Sequence, residues 1–163
     1  MSSKRILLIS RCPPYPLHLG DRLIIWHLAR ELSARGYSLD LCALTQSPDD
    51  AQDVPAYESF FDEIHLFPEH HRTPIMYLQR LFGRRYPRQA THAWQPQRWQ
   101  TIENLLAKHT YDAVHLFGGV HVYELAHLLK DQLTVITPYE SFSLYLDREW
   151  QQHRQLATLL NRA

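Results

Sequence analysis

Residues 5–22 of the chain are Arg5-Ile6-Leu7-Leu8-Ile9-Ser10-Arg11-Cys12-Pro13-Pro14-Tyr15-Pro16-Leu17-His18-Leu19-Gly20-Asp21-Arg22. The apolar run 5–10 predicts a strand that is buried on both faces, as in a parallel sheet. A proline-rich loop with one glycine follows, and helical spacing begins at Asp21. In open α/β sheets, ligands bind in a crevice at the carboxyl ends of the strands. This stretch therefore indicates both a fold class and the place of a site.

The same alternation of strand and helix continues along the chain. Short apolar runs predict strands at 5–10, 38–45, 63–67, 113–117 and 133–137. Helices are predicted at 21–34, 53–61, 74–82, 97–108, 120–130 and 141–161. Asp21 is the predicted N-cap of the first helix, and Gly36 is placed to end it. The pattern predicts an α/β fold, with a Rossmann-like parallel sheet and helices on both faces.

Composition limits the classes of function. The 163 residues include 17 Lys and Arg against 17 Asp and Glu, which argues against general nucleic-acid binding. No apolar run reaches the roughly 18 residues of a membrane-spanning helix, and the amino terminus does not resemble a secretory signal. The two cysteines, Cys12 and Cys42, form no CxxC pair. We therefore expect one cytoplasmic domain with reduced cysteines.

Several common cofactor sites are excluded by their motifs. The loop 11–20 holds one glycine where GxGxxG needs three, and GxxxxGK[ST] is absent. The 11 histidines form no HExxH, and His115, His121 and His127 do not share a helical face. His115 lies inside an apolar run and is predicted as a core or strand-end histidine. We expect no metal ion and no bound cofactor.

Several motifs, taken in order, resemble a known family. They are the strand 6–10, the proline loop ending in Gly20-Asp21-Arg22, the helix ending at Gly36, and the strand 39–45. The run 111–117 is similar to the family's Y/F-D-V-V-H strand, and 135–141 falls where its fifth strand and acceptor-side loop belong. Together they resemble the amino-terminal domain of retaining GT-B glycosyltransferases, of the family 4 or group 1 type.

The resemblance implies a function and a missing partner. Such enzymes have two Rossmann-like domains, and the second carries most contacts to the nucleotide sugar, including a Glu-x7-Glu element. No such element stands in the required context here. The resemblance implies that 1–163 is the acceptor-side domain alone, cut before its donor-binding domain and inactive by itself. The whole enzyme would transfer a hexosyl unit from a nucleotide-diphosphate sugar to a hydroxyl of a glycan or glycolipid, without a metal.

The resemblance also implies which residues bind. Gly20, Asp21 and Arg22 would lie against the donor diphosphate, because a residue without a Cβ lets the backbone approach closely. The alternatives are a turn glycine, an N-cap and a solvated arginine. Acceptor-side residues would be Gly118, Gly119, His121, Tyr139 and Glu140. The glycine pair could equally ease a turn, and Glu140 could cap the last helix. No histidine stands beside Tyr139, where many relatives have one.

A basic segment lies between residues 70 and 99, which include six arginines and no acidic residue. Aromatic side chains alternate with Arg80, Arg84, Arg85 and Arg88. Such a stretch is typical of a surface that contacts anionic lipid or a phosphate-bearing acceptor. We expect peripheral contact with the inner face of a membrane. The alternative is a solvated helical hairpin whose aromatics belong to the core.

One rival function belongs to another class. The chain would be a complete, non-catalytic binding or assembly module with a flavodoxin-like fold, ending natively near Ala163. That hypothesis predicts a protein partner on an exposed face. The glycosyltransferase hypothesis predicts instead a carboxyl-terminal domain, a sugar nucleotide and a glycan or lipid-linked acceptor.

Overall fold

The computed structural model describes residues 3–69, 95–119, 122 and 124–138, with positions 144, 147, 148 and 151. Within these residues five parallel strands form one sheet in the order β3-β2-β1-β4-β5. The elements are β1 Arg5–Ser10, α1 Gly20–Ala34, β2 Ser38–Thr45, β3 Glu63–Pro68, α2 Pro96–Lys108, β4 Ala113–Phe117 and β5 Thr134–Thr137. This is an α/β, Rossmann-like fold.

The predicted strands are confirmed almost residue for residue. β1, β2 and β4 have their predicted bounds, β3 extends one residue further to Pro68, and β5 begins at Thr134 instead of Leu133. Strands β1 and β2 lie in the interior of the sheet, so their side chains are buried on both faces. Such strands are continuous apolar runs, which is why the sequence locates them so well.

Helical elements cover both faces of the sheet, as predicted. On one face α1 packs through Ile25 and Ala29 against Leu8 and Leu41. The opposite face carries α2 and a 3₁₀ segment, Glu124–Leu129. Because successive side chains of a strand point to opposite faces, β1, β2, β3 and β4 each contribute to the apolar clusters on both faces.

Helix α1 begins one residue earlier than predicted. Leu19 has extended backbone and is the N-cap, so Asp21 lies inside the first turn, and its prediction as the cap was wrong. A cap residue needs the non-helical backbone that Leu19 has and Asp21 lacks. At the other end Gly36 has a φ of +81°, and its N–H donates to the Ser33 carbonyl. Gly36 thus follows the helix end as predicted.

Two predicted helices contain 3₁₀ turns among the residues that the structure describes. The segment 53–61 forms two 3₁₀ turns, Val54–Ala56 and Glu58–Phe60, separated at Tyr57 by non-helical backbone. Within 120–130, Val122 is helical and the 3₁₀ segment Glu124–Leu129 follows. Helix α2 confirms the prediction at 97–108, with Pro96 added in its first turn. The predicted helix 74–82 and most of 141–161 lie outside the described residues.

Across the part of the chain that the structure describes, we find no helix with the length and apolarity needed to cross a membrane.

Candidate functional site

The candidate site lies where the order of the sheet reverses. From β1 the chain proceeds to β2 and β3 on one side, whereas β4 and β5 lie on the other side. In open α/β sheets the loops that leave two such strands diverge and form a ligand-binding crevice, so the carboxyl ends of β1 and β4 are the place of the candidate site. The Arg11 N–H donates to the Phe117 carbonyl at 3.2 Å, so the pairing continues to the edge of the crevice.

The β1–α1 loop, residues 11–19, is anchored in its first half. The Ser10 hydroxyl donates to the Cys12 carbonyl at 2.7 Å and accepts from the Cys12 N–H at 3.2 Å. Cys12, Pro13 and Pro14 are buried, whereas residues 17–19 are exposed. The Tyr15–Pro16 peptide is cis. The loop thus runs from the core to the surface before α1 begins.

The first turn of α1 presents Gly20 to open space. A Cβ added to Gly20 would meet no atom within 4 Å, and the backbone is ordinary helix, so packing within the chain does not require glycine there. The first N–H groups of a helix have no partner inside the helix and favour anions. This terminus therefore leaves room for a ligand to approach its backbone.

Asp21 and Arg11 form an ion pair beside that terminus. Asp21 Oδ2 lies 3.4 Å from Arg11 Nε, and Oδ1 accepts a hydrogen bond from the Arg22 N–H at 2.9 Å. A carboxylate repels a phosphate, so the Asp21 side chain is unsuited to the donor contact that the sequence predicted. Its backbone N–H and the guanidinium of Arg11 are the groups suited to an anion.

Arg22 lies in a buried ion pair, not on the surface. Its side chain is 4% exposed, and Nη1 lies 2.7 Å from Asp50 Oδ1. Nη1 also donates to the Tyr15 carbonyl. The interpretation of Arg22 as a solvated residue or a phosphate contact does not fit this placement, because the guanidinium is turned into the protein.

Asp50 holds the loop that follows β2. Its Oδ2 accepts hydrogen bonds from the Gln46 N–H at 2.7 Å and the Ser47 N–H at 3.1 Å. Burial disfavours the charged form, but the hydrogen bonds from Arg22 and these two amides outweigh it and lower the pKa of Asp50. Asp50 therefore stays ionised and links two loops at the carboxyl edge of the sheet.

A second arginine lies beneath the crevice. Arg98 in α2 is fully buried, and its Nη2 donates to the carbonyl of Ser10, the last residue of β1, at 3.2 Å. From the sequence, Arg98 belongs to the basic segment 70–99, and neither its burial nor that of Asp50 is predicted. Helical spacing could have revealed both buried arginines. Arg22 is followed at helical spacing by Ile25 and Ala29, and these residues form the buried stripe of α1. Arg98 lies in the same way on the buried stripe of α2, with Ile102 and Leu105.

The glycine pair after β4 is explained by backbone geometry. Gly118 has a φ of +117° and Gly119 a φ of +49°, and both are buried. Backbone at positive φ favours glycine because a Cβ would clash there. The Gly119 carbonyl accepts a hydrogen bond from the Val122 N–H at 3.3 Å, which closes the turn. The glycine pair could contact an acceptor or allow a tight turn, and the turn alone is enough to account for these glycines.

His115 is a partnered strand histidine, in agreement with its prediction. Its Nε2 lies 2.8 Å from the Thr137 hydroxyl of the neighbouring strand. The side chain is half-buried, and burial lowers its pKa. The imidazole is therefore neutral at pH 7 and ties β4 to β5.

Other predicted site residues lie outside the described residues. These are the acceptor-side residues His121, Tyr139 and Glu140 and the basic patch Arg80, Arg84, Arg85 and Arg88. Among the residues that the structure describes, no group of three or more His, Cys, Asp or Glu side chains is placed to hold a metal ion.

Comparison with known proteins supports the fold alone. No protein-family model matches the sequence, and no curated protein matches it. A similar solved structure is the C-terminal domain of a hydrogenase from Pyrococcus furiosus, with a TM-score of 0.50 and 12% sequence identity. The match covers 83% of this chain and 92% of that domain.

Proposed function

We propose that this chain is the acceptor-side domain of a nucleotide-sugar-dependent glycosyltransferase, and that its crevice receives the donor diphosphate. The observation that carries the proposal is Gly20. It stands at the amino terminus of α1, beside the point where the strand order reverses, with open space where a Cβ would lie. A diphosphate needs this close approach to backbone N–H groups.

The charges around the crevice are compatible with an anionic ligand. The Arg11 side chain is about one quarter exposed and reaches Asp21 at the same helix terminus. A diphosphate at that terminus would contact the Arg11 guanidinium while Arg11 stays paired with Asp21. The reaction would be hexosyl transfer to a hydroxyl of a glycan or glycolipid, driven by positioning and electrostatic stabilisation. A carboxyl-terminal domain would supply the remaining contacts to the nucleotide sugar.

The test is direct binding to this chain. Uridine, guanosine and adenosine diphosphates and inorganic pyrophosphate are titrated by isothermal calorimetry. We expect the nucleoside diphosphates and pyrophosphate to bind with similar affinity, because this domain is proposed to contact the diphosphate and the missing domain the nucleoside. Binding of none of them would overturn the donor role of the crevice.

Two glycine variants make this test specific. Gly20→Ala should fold with unchanged stability, since its Cβ meets nothing, yet lose about tenfold or more in diphosphate affinity through steric exclusion. Gly36→Ala is the matched control at the other end of α1. Its φ of +81° makes alanine strained, so stability falls by about 1 kcal/mol while affinity stays unchanged. Equal effects of both variants on affinity would contradict a contact at Gly20.

A non-catalytic binding module is the second candidate, and exposed apolar residues in β5 and just before it favour this candidate. Leu133 is 70% exposed, and Val135 and Ile136 are about half exposed on opposite faces of the strand. Exposed apolar surface of this kind is typical of protein contacts. The strand order, however, is that of a Rossmann half and not the 2-1-3-4-5 order of flavodoxin. This candidate predicts that the chain does not bind diphosphates. It also predicts that the chain assembles, as measured by sedimentation velocity, and that Leu133→Asp disrupts the assembly.

A further inference from the structure

Three segments of the carboxyl edge meet at one buried ion pair. Arg22 belongs to the first turn of α1, and it donates to the Tyr15 carbonyl of the β1–α1 loop. Asp50 accepts from Arg22 with one oxygen and from the amides of Gln46 and Ser47, after β2, with the other. The loops that leave two neighbouring strands are therefore joined through a single guanidinium and a single carboxylate.

Burying such an ion pair carries a large desolvation free energy. Both side chains are 4% exposed, so each has lost its hydration. Apolar residues of similar size often stabilise a protein as well as a buried ion pair does, whereas removing one partner leaves an uncompensated charge. What the pair adds is geometry, because the planar guanidinium and the carboxylate fix the directions of several hydrogen bonds at once.

We propose that Arg22 and Asp50 are positioning residues of the donor-diphosphate site. This inference rests on the proposed function. Through Tyr15 the pair holds the β1–α1 loop, and through its place in the first turn it holds the N–H groups beside Gly20. Neither side chain contacts the ligand. They hold the amino terminus of α1 in the binding conformation before the diphosphate arrives. Binding then costs less conformational entropy, because the loop is already ordered.

Replacing the Asp50 carboxylate tests this proposal, because a positioning role and simple electrostatics predict opposite changes in diphosphate affinity. Asp50→Asn removes a negative charge near an anion site, so electrostatics alone predict tighter binding of a diphosphate. The asparagine keeps an oxygen for Arg22 but presents an N–H₂ group toward the amides of Gln46 and Ser47, which need an acceptor. Positioning therefore predicts weaker binding.

The experiment uses the whole chain with uridine diphosphate and inorganic pyrophosphate as probes. We expect Asp50→Asn to weaken binding of both by about tenfold or more. Asp49→Asn is the matched control, because Asp49 is an exposed carboxylate in the same turn with no bond to Arg22. It should leave affinity unchanged or slightly raised. Unchanged or tighter binding in Asp50→Asn would overturn the proposal.

A second measurement needs no ligand. Amide hydrogen exchange is followed at Gln46, at Ser47 and at Leu23, whose N–H donates to Leu19 in the first turn of α1. If Asp50 and Arg22 join the loops, Asp50→Asn removes protection at all three amides together. Loss confined to Gln46 and Ser47 would overturn the coupling.

The two measurements separate this inference from the proposed function. If the unaltered chain binds neither probe, the donor role of the crevice fails, and hydrogen exchange still decides whether the pair couples the loops. Arg22→Lys extends the test, since lysine keeps the charge and can donate to Asp50 and to the Tyr15 carbonyl. It should retain more affinity than Arg22→Gln, and equal losses in both would contradict a role for the charge.

Discussion

The Tyr111 hydroxyl donates a 2.6 Å hydrogen bond to Oδ2 of Asp40, a fully buried carboxylate in β2. Arg5 donates to the two oxygens of the same carboxylate, from Nε at 2.7 Å and from Nη2 at 2.8 Å. Because Arg5 is the first residue of β1, this cluster lies at the opposite edge of the sheet from the crevice. Stability and binding can therefore be perturbed separately.

Tyr111→Phe tests that separation. The variant removes one donor from a buried carboxylate, so we expect unfolding free energy to fall by about 1–2 kcal/mol in urea denaturation. Diphosphate affinity should not change. Tyr37→Phe is the control, since no hydrogen bond of the Tyr37 hydroxyl is found among the described residues. A loss of affinity in Tyr111→Phe would show that the two edges are coupled.

Glu63 should contribute to the pH dependence of stability. Hydrogen bonds from Lys108 at 2.7 Å and with His109 at 2.8 Å lower its pKa from 4.5 to about 2. A carboxyl group whose pKa is lower in the folded than in the unfolded state stabilises the protein at any pH above its unfolded pKa. That contribution is lost as the pH falls toward the folded pKa and the group takes up a proton. We therefore expect stability from this group to be complete above about pH 5 and to disappear toward pH 2.

The check on this expectation is the unfolding free energy measured from pH 7 to pH 2. Glu63→Gln should be less stable at neutral pH, and its stability should fall less steeply below pH 5. Glu31→Gln serves as the control, because Glu31 and its partner Arg30 are both about half exposed. Parallel curves for the original chain and Glu63→Gln would contradict the assignment.

Both cysteines should be inert in the folded protein. Burial raises the pKa of Cys12 and of Cys42 to about 12, so neither is a thiolate at pH 8. We expect a disulfide reagent such as Ellman's to label both only at the rate of unfolding. Rapid labelling of Cys12 alone would show that the β1–α1 loop opens in the native state.

The basic segment remains a prediction that vesicles can test. Arg80, Arg84, Arg85 and Arg88 are replaced together by serine, and binding to phosphatidylserine vesicles is measured by co-sedimentation. We expect the original chain to bind at low salt and the variant to lose most of that binding, at about 1 kcal/mol per arginine. Neutral phosphatidylcholine vesicles are the control. Equal binding by both chains would remove the membrane contact from the proposal.

The strands could be predicted from the sequence because their signal is local. In β1 and β2 most residues are buried because strands lie on both sides, so a mainly apolar run is sufficient evidence. The segment 53–61 shows the limit of this approach. Tyr57 and Phe61 have helical spacing and are both buried, yet the backbone between them makes tight turns. The sequence therefore predicted a helical segment at 53–61 without identifying the type of helix.

The charged part of the candidate site could not be predicted in the same way. Arg22 and Asp50 are 28 residues apart, and nothing in the residues beside Asp50 indicates its partner. Gly20 could be proposed from the sequence because it stands at a local feature, the start of a helix after a strand. Pairing of charges between loops depends on the packing of the sheet, which no local pattern encodes.

The pairing of β1 with β4 also sets when the crevice can form during synthesis. Arg5 and Asp112, which bond at the start of these strands, are 107 positions apart in the chain. Strands β1, β2 and β3 lie within the first 68 residues and can associate while the rest of the chain is still being made. The edge between β1 and β4 cannot form until β4 has left the ribosome and docked beside β1. A nascent chain can therefore be folded in part before the edge that carries the candidate site exists.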